Sequence, residues 1–519
     1  MFRVRSSLAV LAMTAVASAG SAVSQDPVFS TSCAGKAYTY NELAGYGFVP
    51  SDARDKLGDS ISLGSSIAMA SWSKKGSKYE GRLYGLPDRG WNTQGTINFQ
   101  PRVHEFLVTL TPAPDATASN PSAPNVAFAY QDSILLTGPD GAPMTGLDAD
   151  QTGGLQYPGF PLLPAATYTG DGFGGEGPGG KRVSLDPEAL VLAKDGGFWI
   201  SDEYGPYIYN FDKNGSMTAA VAPPDAPLPL RNGTVSFSSN NPPAYDPTRK
   251  PIPSNPTQGR QNNQGFEGMT ASPDGKTLWV LLQSAARQEG GSSSTTRRYA
   301  RLLRYSIESC EGNGQAVVYQ GEYVVPLPTF RDASGKTAVA AQSEMHYVSD
   351  TQFFFLPRDS GNGHGLASSE SIYRHVDILD ISNATNVKGP AHDAFNASIA
   401  SAAGVLNSDI APATVCPFVD FNVNAQLNRF GLHNGGPQDG GLLNEKWEGI
   451  ALVPTENKDG RRDGEEYLLF ASSDNDFVTQ NGFVNFGKIP FADKSGFDLD
   501  NQMLVFRITL PKGARPLVG

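Results

Sequence analysis

One recurring unit limits the fold more than any other feature of this chain. Glu188-Ala189-Leu190-Val191-Leu192 leads into Asp195-Gly196-Gly197 and then Phe198-Trp199-Ile200-Ser201-Asp202-Glu203. The order returns from Glu267 through Asp274-Gly275 to Leu282, from Glu344 through Ser349-Asp350 to Asp359, and from Glu448 through Asp463-Gly464 to Asp474. A fainter copy, lacking the first acid, runs from Ser66 through Tyr84 to Asp88-Arg89. Each copy reads as acid, strand, polar turn, strand, polar end. Helical periodicity is scarce, and the 57 Gly and 38 Pro suit many turns. Hairpin units repeated in this way build radial β architectures. The expected fold is all-β: a single β-propeller of six or seven blades over residues 25–519. The extra blades would be copies too degenerate to see. Long polar spacers, such as Thr111 to Asn125, Asp171 to Gly180 and Val221 to Gln264, read as irregular loop insertions.

The repeat also predicts a site. In an antiparallel hairpin the start of the first strand lies beside the end of the second. Each leading acid should then share a rim with the polar residues that close its hairpin. Glu188 is placed with Asp202 and Glu203, Glu267 with Gln283 and nearby Arg287, Glu344 with Arg358 and Asp359, and Glu448 with Asp474 and Asp476. Asp88 and Arg89 close the faint unit. If these hairpins are the inner ones, all five clusters meet at one mouth of a central channel. Gathered carboxylates repel unless something offsets them. Calcium, a hard cation taking six to eight oxygens, is the expected guest. Its candidate ligands are Glu188, Glu267, Glu344, Glu448 and Asp474. Candidate catalytic acids are Glu188, Asp202, Glu203, Glu267 and Glu448. Asp88, Arg89, Arg287 and Arg358 are the candidate substrate contacts, since guanidinium groups grip phosphate or carboxylate through paired hydrogen bonds. Asp148-Ala149-Asp150 opens like a second calcium loop, but Gly159 stands where that loop needs glutamate.

The ends and the composition narrow the setting. Arg3 and Arg5, the apolar run Leu8 to Ala17 and the small residues after it form a signal peptide over residues 1–24. No later stretch has the ~20 apolar residues of a spanning helix, so the expectation is a secreted, extracellular protein without a membrane partner. Asn214, Asn232, Asn383 and Asn396 head N-glycosylation sequons. Cys33, Cys310 and Cys416 allow one disulfide, with its pairing open. A net charge of -12 argues against nucleic acid. The six histidines do not cluster, and neither Gly-x-Ser-x-Gly nor His-Glu-x-x-His occurs.

Leu86-Pro87-Asp88-Arg89-Gly90, Asp186-Pro187-Glu188-Ala189-Leu190, Ser201-Asp202-Glu203-Tyr204-Gly205-Pro206, Phe266-Glu267-Gly268-Met269 and Trp447-Glu448-Gly449-Ile450-Ala451 resemble the phytase-like family, also described as "esterase-like activity of phytase". The resemblance spans Tyr46 to Leu510. It implies a β-propeller with recurring acids that serve a phosphodiesterase- or esterase-type activity, carried over to Asp88, Glu188, Asp202, Glu203, Glu267 and Glu448. Arg374-His375 is followed by Val376, not the glycine of the histidine acid phosphatases, so a phytase reading has to be metal-dependent. The leading expectation is a secreted, calcium-assisted hydrolase of phosphoesters or esters acting on a small anionic or phosphorylated substrate. The alternatives are a non-catalytic propeller that binds a glycan, metal or protein at its acidic face, and a lactonase or sugar-acid-cleaving enzyme.

Overall fold

The computed structural model describes residues 26–309, 315–456 and 462–519. The signal peptide and Cys310 lie outside them. Three four-stranded antiparallel sheets and one nine-stranded sheet dominate the described residues. The nine-stranded sheet is two antiparallel stretches joined at the single parallel pair Gly47–Val126. These two stretches and the three smaller sheets, called the five sheets below, each open with a strand foreseen by the repeat. The opening strands are Ser66–Lys75, Pro187–Leu192, Phe266–Ala271, Ala341–Tyr347 and Trp447–Glu456. Each packs against the next, and the fifth returns to the first, so the five form a closed cycle around an axis.

Side-chain alternation makes the cycle cohere, because successive residues of a strand face opposite sheet neighbours. In the third sheet, Leu282 turns toward the second sheet, where it joins Ala189, Val191 and Trp199. Leu281 turns toward the fourth, where it joins Met345, Phe353 and Phe355. Three further apolar clusters fill the remaining interfaces: fourth with fifth, fifth with first, and first with second. Burial on both faces explains why Phe266–Ala271 is buried throughout, with no polar alternation.

The outer strand of the fifth sheet comes from the beginning of the chain. Lys36–Val49 pairs antiparallel with Asn501–Thr509. Phe29–Cys33 extends this edge, and a Cys33–Cys416 disulfide fastens it to the outermost strand of the fourth sheet. Gly47 lies so close to Val126 of the first sheet that any side chain there would strike the Val126 carbonyl.

The architecture is therefore an all-β, propeller-like ring. The five hairpins that the repeat marks supply its inner strands. The spacers, read as loop insertions, fold into short two-stranded ribbons and packed loops. The 221–264 spacer is held down by buried arginines. Arg231 donates to the carbonyls of Pro253, Ser236, Ser238 and Ser254, and Arg260 to those of Tyr204 and Phe237.

Candidate functional site

Three of the inner strands carry a β-bulge at their first acid. Phe266 pairs with Leu282 and Gly268 with Leu281, leaving Glu267 as the extra residue. Trp447 pairs with Ser473 and Gly449 with Ser472, leaving Glu448. The second sheet shifts register between Ile200 and Asp202, opposite Glu188 and Ala189. A bulge re-aims a side chain that regular pleating would send into a sheet interface. Here it turns Glu188, Glu267 and Glu448 into one cavity of about 350 Å³ at the mouth of the ring. Asp88, Arg89, Glu203, Gln283 and Arg358 line the same cavity.

Four expected members lie elsewhere. Glu344 was aligned one residue out of step. Apolar Met345 corresponds to Met269 and Ile450, so Ser343 takes the position of Glu267 and Glu448, and Ser343 lines the mouth. A slip of one residue reverses the face of a strand. The Glu344 carboxylate instead braces the ring below, accepting hydrogen bonds from Ser66 Oγ at 2.5 Å, Met345 N at 2.8 Å and Met269 N at 3.1 Å. Asp202 is turned away to organise the following turn, where it accepts from the backbone amides of Asp186, Tyr204 and Gly205 and from the Tyr209 hydroxyl. Arg287 is not on the cavity wall; it points to Gln261 at 3.5 Å. Asp474 lies behind the wall, bonded by Ser62 and Lys446. Asp148 is likewise spent on Ser238, Ser239 and Asn241.

Sequence reasoning gives no role to Asp186, Lys446, Glu445 or Arg297, which also line the cavity. Asp186 and Lys446 each stand two residues before a leading acid, and that shared offset was the available signal. Lys446 Nζ lies 2.8 Å from Asp476, 3.0 Å from Asp474 and 3.4 Å from Glu448. It already neutralises the cluster formed by Asp88, Asp474 and Asp476. Arg89 pairs with Asp186 at 2.5 Å, and Arg358 with Glu448 at 2.5 Å.

The cluster of Asp186, Glu188 and Glu203 is different, because no lysine enters it. One carboxylate oxygen from each lies within 4.8 Å of the others. Both oxygens of Glu203, Oδ1 of Asp186 and Oε2 of Glu267 are buried without a hydrogen-bond partner. Buried polar atoms normally have partners, so such orphans ask for an explanation. An oxygen-only donor set suits a hard divalent cation and fits calcium better than a thiophilic metal.

Protonation reflects the same crowding. Burial and then Glu267, Glu203 and Asp186 push Glu188 well above the usual carboxylate range. Glu267 is raised likewise by burial, Glu203 and Glu448. Burial raises Asp186 to about 8 despite Arg89, and Glu448 to about 7 despite Lys446 and Arg358. Burial opposes the charge on Lys446, but Asp474, Asp476 and Glu448 outweigh it and raise its pKa well above the ordinary value. His346 lies on the far side, its Nε2 2.9 Å from the Leu517 carbonyl, and burial lowers it to about 4.

Fold and site together define a propeller-like protein with a buried acidic mouth. The family model described as phytase-like, esterase-like activity of phytase, matches residues 75–477, and the chain belongs to that family. A protein of Arthroderma benhamiae described as an uncharacterized secreted protein is 52% identical over 467 residues, covering 88% of this chain and 90% of the relative. The chain is a secreted protein, and its inter-sheet disulfide suits that compartment. No helix among the described residues is long and apolar enough to cross a membrane. Among solved structures, an N-acetylgalactosamine deacetylase from F. plautii aligns at 10% identity and a TM-score of 0.29, over 91% of this chain and 95% of its own. A luciferin-regenerating enzyme aligns at 10% identity and a TM-score of 0.24, over 89% and 95%. Likenesses this weak carry no argument, and the architecture rests on the sheets themselves.

Proposed function

We propose that the protein is a metal-assisted hydrolase of phosphoesters or carboxylic esters, working at the acidic mouth with calcium as the favoured ion. One observation carries the reading: Glu203, buried to 1% exposure, has no partner on either oxygen while Asp186 and Glu188 stand beside it. Buried carboxylate oxygens without hydrogen-bond partners are costly and are retained where a ligand satisfies them.

Asp186, Glu188 and Glu203 would hold the ion, which when bound supplies a positive charge that polarises the ester and lowers the pKa of water. The other residues act directly. Arg89, whose Nε has no partner, faces the cavity and meets an anionic oxygen of the substrate. Arg358 is fixed by Ser343 Oγ at 3.2 Å and by Glu448. Glu448, with its pKa near 7 and an Oε2 that has no hydrogen-bond partner and lies 3.4 Å from the Lys446 ammonium, takes and returns a proton around neutral pH. One water is consumed: its oxygen bonds to phosphorus or the acyl carbon, the bond to the alcohol oxygen breaks, and the alcohol leaves with a proton.

The test is a panel of nitrophenyl phosphates, nitrophenyl acetates and phytate, with chelator and with added calcium, run beside thermal melting. Turnover that chelator abolishes and calcium restores, with a matching rise in Tm, is the expected result. No turnover of any ester under any metal condition would overturn the reading.

A further inference from the structure

A second cavity, of about 490 Å³, abuts the acidic mouth and shares Glu445, Lys446 and Asp476 with it as a common wall. Its volume is in the range of pockets that hold drug-sized ligands, ~300–1,000 Å³. Its chemistry is unlike that of the mouth. Leu366, Val478 and Leu499 give it apolar sides, and the imidazole of His364 adds a flat one. The carboxylates on its wall are already committed. Asp493 accepts from Trp91 Nε1 at 2.9 Å and Thr93 Oγ1 at 2.5 Å. Asp474 and Asp476 hold Lys446, and Glu445 accepts from the Gly361 amide at 2.7 Å. The wall residue with a buried orphan side-chain atom is Asn444, through its neutral Oδ1, and exposed Lys494 adds a cation at the edge.

The apolar sides are set by the backbone. The Leu366 amide donates to Gly363 O at 3.2 Å, and its carbonyl accepts from Gln438 Nε2 at 2.9 Å. The Leu499 amide donates to Val478 O at 3.0 Å, and its carbonyl accepts from Asn475 Nδ2 at 2.8 Å. Gly365, with φ +80°, brings its chain so near Leu499 that a Cβ would lie 3.2 Å from Cδ2. These positions do not depend on a ligand to order them, so occupying the cavity costs little rearrangement.

The geometry points to a leaving-group subsite: the substrate is an ester whose reacting head sits in the acidic mouth and whose alcohol half is a flat, uncharged, largely apolar group in the second cavity. This rests on the hydrolase reading and narrows it. Eight carboxylates line the mouth against four cationic side chains, a formal excess of four negative charges. One divalent ion leaves two. A single phosphate or carboxylate is acceptable there; a ring carrying many phosphates would set the remainder against leucines and committed acids, with Lys446 already paired and one exposed lysine, Lys494, to meet them.

The experiment compares 1-naphthyl, phenyl and methyl esters of one acid, and the same series of phosphate monoesters, on wild type and on Leu366→Trp, which fills the cavity. Wild type should favour naphthyl over methyl by about 20-fold or more in kcat/KM after correction for the intrinsic reactivity of each ester. Leu366→Trp should erase most of that preference. If the tryptophan variant does not melt cooperatively, Leu366→Ala substitutes for it and should reduce the preference several-fold. Turnover with a corrected preference below about twofold, or one that neither variant changes, overturns the subsite and leaves the hydrolase reading standing. If no ester is turned over at all, the hydrolase reading has failed. The subsite is then decided by calorimetry with 1-naphthyl phosphate: binding by wild type that the variant loses supports it, and no binding overturns it.

Discussion

The two ends of the central channel are built by the same five strands and have opposite characters. At the mouth the chain presents Glu188, Glu267 and Glu448, with orphan oxygens on Glu267, Glu448 and neighbouring Glu203 and with Ala341 as the one apolar side chain of the lining. Two residues further along the same strands come Leu190, Met269 and Ile450, joined by Ile67 and Met345 around a floor cavity of about 90 Å³. The segment ending in Leu517-Val518-Gly519 lies across that floor, with Gly519 exchanging backbone hydrogen bonds with Leu452. Between the two levels sit small residues and one acid: Ser66, Ala189, Gly268, Gly449 and Glu344. A Cβ on Gly268 would lie 2.7 Å from Met345 N, and one on Gly449 3.0 Å from Ile67 N. Inner strands can approach this closely only where side chains are small. The contrast between Glu344 and Glu203 is instructive: both are buried carboxylates, but one is fully used by the fold and the other is not used at all.

The largest effect expected from this contrast is at Glu203. Glu203→Gln should cut hydrolysis by about 10³-fold, within the range for loss of a positioned catalytic carboxylate or its ion. It should leave Tm in chelator equal to or above wild type, because it removes a repelling charge, and calcium should no longer raise it. A variant that unfolds would show that Glu203 belongs with Glu344 as a structural acid. Next, Glu344→Ala should cost about 3 kcal/mol in denaturant unfolding, since buried amides at Met269 and Met345 lose their acceptor. Its calcium midpoint should match wild type; a shifted midpoint would merge the two levels that the structure separates.

A pH series sharpens the comparison. Asp186 and Glu448 titrate near 8 and 7 when folded, against ~4 when unfolded. Between those values the folded chain holds protons that the unfolded chain has released, so stability falls as pH rises from about 4 to about 8. In chelator, Tm should decline across that window, and calcium should flatten the decline. A chelated Tm that rises over the same interval would contradict the assigned crowding. The smallest effect is at the floor. Leu517→Ala should cost about 1 kcal/mol and leave kcat unchanged, as read by melting and steady-state assay. A change in kcat would mean that the floor communicates with the mouth.

Much of this could be read from sequence because the repeat couples a chemical mark to a geometric one. Five units were visible, and each marks the opening strand of one member of the ring; the spacers, read as loop insertions, add short two-stranded ribbons and packed loops. Glu188, Glu203, Glu267 and Glu448 follow from the offset between an acid and its hairpin. Glu344 did not, because Ser343-Glu344-Met345 and Glu267-Gly268-Met269 differ by one step, and only pairing register tells them apart. Asp202 was obscured by its neighbour: adjacent carboxylates at a strand end face opposite ways, and sequence does not say which one the turn will claim. Lys446 was missed because a lysine before a strand resembles any solvated turn residue until three carboxylates are seen around it.

The floor has a kinetic consequence. The mouth and floor cavities share no lining residue, and the Glu344 brace lies between them. No cavity among the described residues joins the two ends, so on the hydrolase reading whatever is made at the acids leaves on the side where its precursor came in. Product and incoming substrate therefore compete for one doorway, and late in a reaction progress curves should bend as accumulated product blocks it.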